Sequence, residues 1–132
     1  MKRRSRVLIA LCSVLSLLTV PAEPQSLSDG CPSPVFPITI DEAITVSSTS
    51  IGFTAATIAN NGNPAVRADC SIATENIRYR VTGLAPSATV GVLILSTSGQ
   101  FSVCGEQVVK QIRFIRQTAD AALYCSYYSR NP

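Results

Sequence analysis

Two stretches of this sequence alternate apolar and polar residues with a period of two, and each carries one cysteine on its apolar register. In the first, Val66, Ala68, Cys70 and Ile72 alternate with Arg67, Asp69 and Ser71. After Ala73-Thr74-Glu75 the pattern resumes, with Ile77, Tyr79 and Val81 set against Asn76, Arg78 and Arg80. In the second, Leu123, Cys125 and Tyr127 alternate with Ala122, Tyr124 and Ser126, and residues 117–120 link this run back to residues 111–116. Period two is the mark of a strand with one buried and one wet face. A short polar link between two such runs predicts an antiparallel pair. Residues 70–83 and 112–129 are therefore each expected to form a β-hairpin, with Cys70 and Cys125 facing the core.

The start of the chain has the three parts of an export signal. Lys2, Arg3, Arg4 and Arg6 make a positive region, residues 7–20 are largely apolar, and Val20-Pro21-Ala22 ends in a small residue. The apolar run is short for a membrane span. Residues 1–22 are read as a signal peptide cleaved after Ala22, in preference to an uncleaved anchor. Cys12 lies inside the apolar run, not just after it, which speaks against a lipoprotein. The expected location is exported, extracellular or periplasmic, with no stable membrane span after cleavage.

Cleavage changes the charge argument. Of the 11 basic and 8 acidic side chains, four basic and no acidic ones fall in residues 1–22, which leaves 7 basic and 8 acidic. A near-neutral domain gives no electrostatic case for nucleic-acid binding. Cys31, Cys70, Cys104 and Cys125 remain, an even number in an exported chain, and predict two disulfides. Cys70 and Cys125 share the apolar register and are expected to pair. Cys104 ends a strand candidate beside Gly105, within reach of a leader that carries Cys31, so these two are the other pair. Metal binding is disfavoured by wide cysteine spacing, the lack of a CxxC motif and the absence of histidine.

Residues 23–37 (EPQSLSDGCPSPVFP) contain four prolines and read as an extended leader. The domain is expected over residues 38–132. Its abundant Val, Ile and Thr, with no Trp and no long helical period, indicate an all-β chain. Strands are expected at residues 38–46 and 51–58, then in the two alternating stretches. Residues 89–95 (TVGVLIL), apolar on both faces, are expected to be a buried strand, and residues 101–103 a short one. A helical turn is expected at residues 108–111. Residues 59–64, 82–87 and 96–99 are turns or loops. The spacing predicts a small β-sandwich of about seven or eight antiparallel strands.

The run ENIRYRVTGLAPSATVGVLI, the later IRFIRQTADAALYCSYY and the earlier AITVSSTSIGFTAAT are together similar to a group of small proteins from the structural gene clusters of tailed phages and prophages. Those proteins carry a stretch close to IRYRVDGTAPTATVGH, then FRFI or IRFI, then an ALxVxYY ending. The resemblance covers about residues 40–129. It implies a compact β-sandwich of virion-associated or other structural role, without catalysis. Thr82 stands where the group has Asp, Val92 where it has His, and Cys70 and Cys125 where it has core aliphatics. The group also typically lacks a signal peptide and paired cysteines.

No catalytic constellation is legible. Without histidine there is no Ser-His or Cys-His pair, and no glycine-rich phosphate loop is present. Asp41 and Glu42 are adjacent, so on a strand they point to opposite faces and read as a solvated strand edge. No cofactor is expected. Arg78, Arg80, Arg113 and Arg116 could form a basic face. Arg78, Arg80, Tyr124 and Tyr128 are the large outward side chains of the two expected hairpins and are predicted to form one contact face, with Tyr127 in the core. Two functions follow: a structural or assembly module that meets a protein partner or its own copies on a particle or cell surface, or a module that binds a glycan through the Arg/Tyr face.

Overall fold

A computed structural model describes Cys31, Ser33 and residues 35–132. The expected signal peptide, residues 1–22, and most of the expected leader, residues 23–37, lie outside the described residues. Seven strands and two short helices follow in the order β1 (Phe36–Val46), α1 (Ala55–Ala59), β2 (Ala65–Ala73), β3 (Ile77–Arg80), β4 (Val92–Ile94), β5 (Gln100–Cys104), α2 (Glu106–Gln111), β6 (Arg113–Arg116) and β7 (Ala121–Ser129). They form a four-stranded sheet of order β1-β7-β2-β5 and a three-stranded sheet of order β4-β3-β6. Every named pairing is antiparallel, and the two sheets enclose one core, as in a small β-sandwich.

The strands of the two alternating stretches form where expected, but their pairing corrects the hairpin expectation. β2 and β3 do not pair, and neither do β6 and β7; each couple is split between the sheets. Instead β2 pairs with β7, from Arg67 opposite Tyr128 to Ala73 opposite Ala122, and β3 pairs with β6, from Ile77 opposite Arg116 to Arg80 opposite Arg113. Each stretch is thus one long strand bent at its middle. The two run antiparallel as a ribbon that folds over from one sheet to the other. The bend is held from both sides. Gln117 N–H donates to the Asn76 carbonyl at 3.1 Å, the Asn76 amide donates to Gln117 Oε1 at 3.1 Å, and Thr118 Oγ1 donates to Glu75 at 3.2 Å. Neither link has the Asn-Gly or Asp-Gly pair that a tight hairpin turn favours. Thr74, with φ +80°, makes the sharp corner in its place.

The ribbon places the cysteines. Cys70 lies directly opposite Cys125 on the neighbouring strand, with Cα atoms 4.1 Å apart, and the two are bonded. Cys31 is bonded to Cys104 at a Cα separation of 4.9 Å. Both pairings are those expected from the sequence. Two disulfides in a domain this small fit an oxidising, exported environment. Cys104 ends β5 at one edge of the four-stranded sheet, while β1 forms the other edge. The first strand begins at Phe36, two residues before the expected boundary.

Aromatic rings join the sheets. Phe53 sits between Phe114 of β6 and Tyr127 of β7, with ring centroids 5.3 Å from each. Tyr127 and Phe114 are fully buried. Residues 51–58 were expected to be a strand, yet only Ile51 bridges to Phe114 before Phe53 turns into the core and α1 begins. The alanines at 55, 56 and 59 favour the helix. Residues 89–95 also depart from expectation: β4 is three residues long, at a sheet edge, and exposed.

Asp41 and Glu42 point to opposite faces, but Glu42 is not a solvated edge group. It accepts hydrogen bonds from the Tyr127 hydroxyl, the Thr54 hydroxyl and, at 3.2 Å, the Thr54 N–H, just before α1. Burial, reinforced by the bond to Glu42, pushes the Tyr127 hydroxyl far above its ordinary value of 10, and burial raises Tyr79 as well. A raised pKa contributes stability that is complete below the unfolded value and lost as pH rises above it. The denaturant midpoint is therefore expected to fall as pH rises past about 10. Equilibrium unfolding at several alkaline pH values should show a shallower fall for Tyr127→Phe, with the remaining slope carried by Tyr79.

Candidate functional site

The four predicted contact residues do not share a face. Arg78 and Arg80 lie on β3, in the outward register of the three-stranded sheet. Tyr124 and Tyr128 lie on β7, in the outward register of the four-stranded sheet, on the far side of the sandwich. Their separation follows from the bent ribbon: two strands read as one hairpin belong to opposite sheets. Arg78 is also committed to the fold. Its Nε donates to the Ala88 carbonyl at 2.8 Å and its Nη1 to the Gly91 carbonyl at 2.9 Å. These bonds seat the loop before β4 against β3, where Gly91 has φ +125° and a Cβ would meet the Tyr79 carbonyl at 2.8 Å. Arg113 donates to the Ile112 carbonyl at 2.9 Å, and Arg116 pairs with Asp120 at 2.6 Å. The expected basic face is thus largely spent on local contacts. Arg78→Ala is expected to cost about 1 kcal/mol. It should speed amide exchange in residues 84–92 while leaving β2 and β7 protected.

Tyr124 and Tyr128 belong to an open trough of about 680 Å³ on the outer face of the four-stranded sheet. All four strands contribute to its lining: Asp41 from β1, Arg67 and Asp69 from β2, Gln100 and Ser102 from β5, and the tyrosines and Ser126 from β7. The polar groups are held in place by one another. Asp69 Oδ1 accepts from Arg67 Nε at 2.8 Å and from Ser102 Oγ at 2.7 Å. Asp41 accepts from Ser126 Oγ at 2.7 Å. Arg67 lies over the Tyr128 ring, 5.4 Å from its centroid, a cation–π geometry. The bond to Asp69 is the main cause that holds the Arg67 pKa above its ordinary value, so the guanidinium stays charged. Tyr124 is about half exposed, at 53%.

The alternation of β2 marks Arg67 and Asp69 as outward side chains, yet nothing in their local pattern singles them out. Their importance comes from β5 and β1, which bring Ser102 and Asp41 onto the same face through pairings that no local pattern encodes.

The opposite sheet presents a different surface. Leu84, Val90, Val92, Leu93 and Leu95 are exposed by 58, 52, 43, 37 and 45%. Val92 and Leu93 lie on β4, Val90 and Leu95 flank it in sequence, and Leu84 belongs to the loop that precedes it; β4 pairs on one side only, with β3. No charged residue occurs between Arg80 and Glu106.

Among the described residues no group of His, Cys, Asp and Glu side chains is arranged to hold a metal ion, and no helix is long and apolar enough to cross a membrane. Comparison with protein families, with curated proteins and with solved structures finds no match to this chain.

Proposed function

We propose that this chain is an exported, non-catalytic assembly module, extracellular or periplasmic, that docks edge to edge with a second copy of itself through β4. The observation that carries the reading is the open β4 edge within an uncharged, apolar stretch. Native sheets ordinarily blunt an edge by keeping the strand very short or by placing lysine, proline or a bulge on it, and β4, at three residues, has only the first of these. Residues 90–95 (VGVLIL) contain none of these charges or prolines. An uncharged apolar segment of high β-propensity is the type that adds to another strand, and Val92–Ile94 is the extended part of this one. Antiparallel pairing of two β4 edges is self-complementary, as a two-fold interface requires, and would join two three-stranded sheets into one of six strands. The resemblance to small phage and prophage structural proteins supports the same class.

The area sets the strength. The exposed apolar side chains on and around β4 offer at most on the order of 400 Å², shared between the two faces of the strand. That is about half of what each partner buries in a standard stable interface, so the pairing is weak and depends on concentration. Sedimentation equilibrium over rising concentration is expected to show a growing average mass for the native chain. Leu93→Lys with Leu95→Lys is expected to remain monomeric at every concentration with its melting temperature nearly unchanged. A native chain that stays monomeric up to about 1 mM, or a lysine variant that associates equally well, would refute the reading.

A further inference from the structure

We infer that the trough on the four-stranded sheet is a binding site for a neutral oligosaccharide. The site is separate from the β4 edge and does not depend on the assembly reading. Its size comes first: about 680 Å³ lies within the range of small-ligand sites. Its aromatic groups come next. Tyr124 and Tyr128 stand on one face of β7, four residues apart. At the rise of a strand this sets them about 14 Å from each other along the trough. Tyr124, about half exposed, offers a flat apolar surface for a sugar ring, while Tyr128 carries the Arg67 guanidinium over its ring and so sets that cation beside the ligand path.

Charge decides the class of ligand. The one cation, Arg67, is paired with Asp69 at 2.8 Å, and Asp41 adds a second carboxylate whose partner is a hydroxyl. The face therefore carries no positive excess to attract phosphate, sulfate or carboxylate groups. Carboxylates and a guanidinium held in fixed positions, with the exposed Gln100 amide beside them, are instead suited to hydroxyl groups, which both donate and accept. A protein ligand fits less well. The core of a protein interface is depleted in charge and rich in large apolar side chains, and on this molecule that combination occurs around β4. The trough lies over Ala43 and the hydroxyls of Ser71, Ser102 and Ser126.

The test uses the full folded chain on a printed array of neutral and acidic oligosaccharides, followed by calorimetric titration with the strongest neutral sugar. Binding to neutral oligosaccharides is expected, with an affinity loss of about tenfold for Tyr124→Ala and a comparable loss for Gln100→Ala. Both side chains are exposed and neither change removes core packing. Leu93→Lys, on the other sheet, is expected to bind the sugar as the native chain does. An array with no neutral sugar bound, one with only acidic sugars bound, or titrations unchanged by both trough substitutions would overturn the inference. A failure here leaves the self-association of the β4 edge standing, because sedimentation reads that separately.

Discussion

Cys70→Ala with Cys125→Ala is expected to remove about 3–4 kcal/mol of unfolding free energy. The bond joins β2 and β7, the two inner strands of the four-stranded sheet, across 55 residues of sequence. In the chain-entropy account a loop of that length restrains the unfolded chain by about 4 kcal/mol. The Cys31 to Cys104 loop overlaps it and already imposes part of that restraint, which sets the lower end of the range. Both sulfurs lie in the core, so the double substitution also leaves unfilled volume. Urea titration should show a lower midpoint. An unchanged midpoint would mean that the ribbon holds its register without the covalent link.

Phe114→Ala is expected to cost a similar amount, about 3–5 kcal/mol. Phe114 is fully buried and stacks at a tilt against Phe53, which in turn meets Tyr127 edge-on. A second aromatic neighbour, Phe101, lies 6.1 Å away. This chain of rings runs from the three-stranded sheet to the four-stranded one, so truncating it opens the cavity at the contact between layers. Ile115, the next residue, points to the other side and is only partly buried. Ile115→Ala is expected to cost less than about 1 kcal/mol under the same conditions. Since a domain of this size has about 5–15 kcal/mol to lose, Phe114→Ala should remain folded at low temperature but melt early. Equal effects of the two substitutions would contradict the placement of the inter-layer contact.

The sequence disclosed the strands better than their partners. Alternation identifies which side of a strand is buried, and it placed Cys70, Cys125, Tyr127 and Leu123 inside and Tyr124 outside. It is silent on which strand lies alongside. A polar link of three or four residues can be a turn within one sheet or a corner between two, and residues 74–76 and 117–120 are corners. The cysteine pairing survived that error because it depended on both residues sharing a core-facing register, which holds in either arrangement. The contact face did not survive. Once each stretch bends across the sandwich, Arg78 and Tyr124 part company, and Arg67, on the same face as Tyr128, takes the place assigned to Arg78. β4 was misread for another reason. Seven mostly apolar residues resemble a buried strand, but Gly91 and the loop held by Arg78 deliver them to an open edge.

Proton–nitrogen correlation spectra of the full chain at rising concentration test most directly the claim that β4 is the face where copies meet. The expected result is a set of progressive shifts confined to residues 84–95 and the β3 amides beside them, while the amides of β2 and β7 that frame the trough stay in place. Spectra that do not change up to about 1 mM, or shifts centred on the four-stranded sheet, would contradict it.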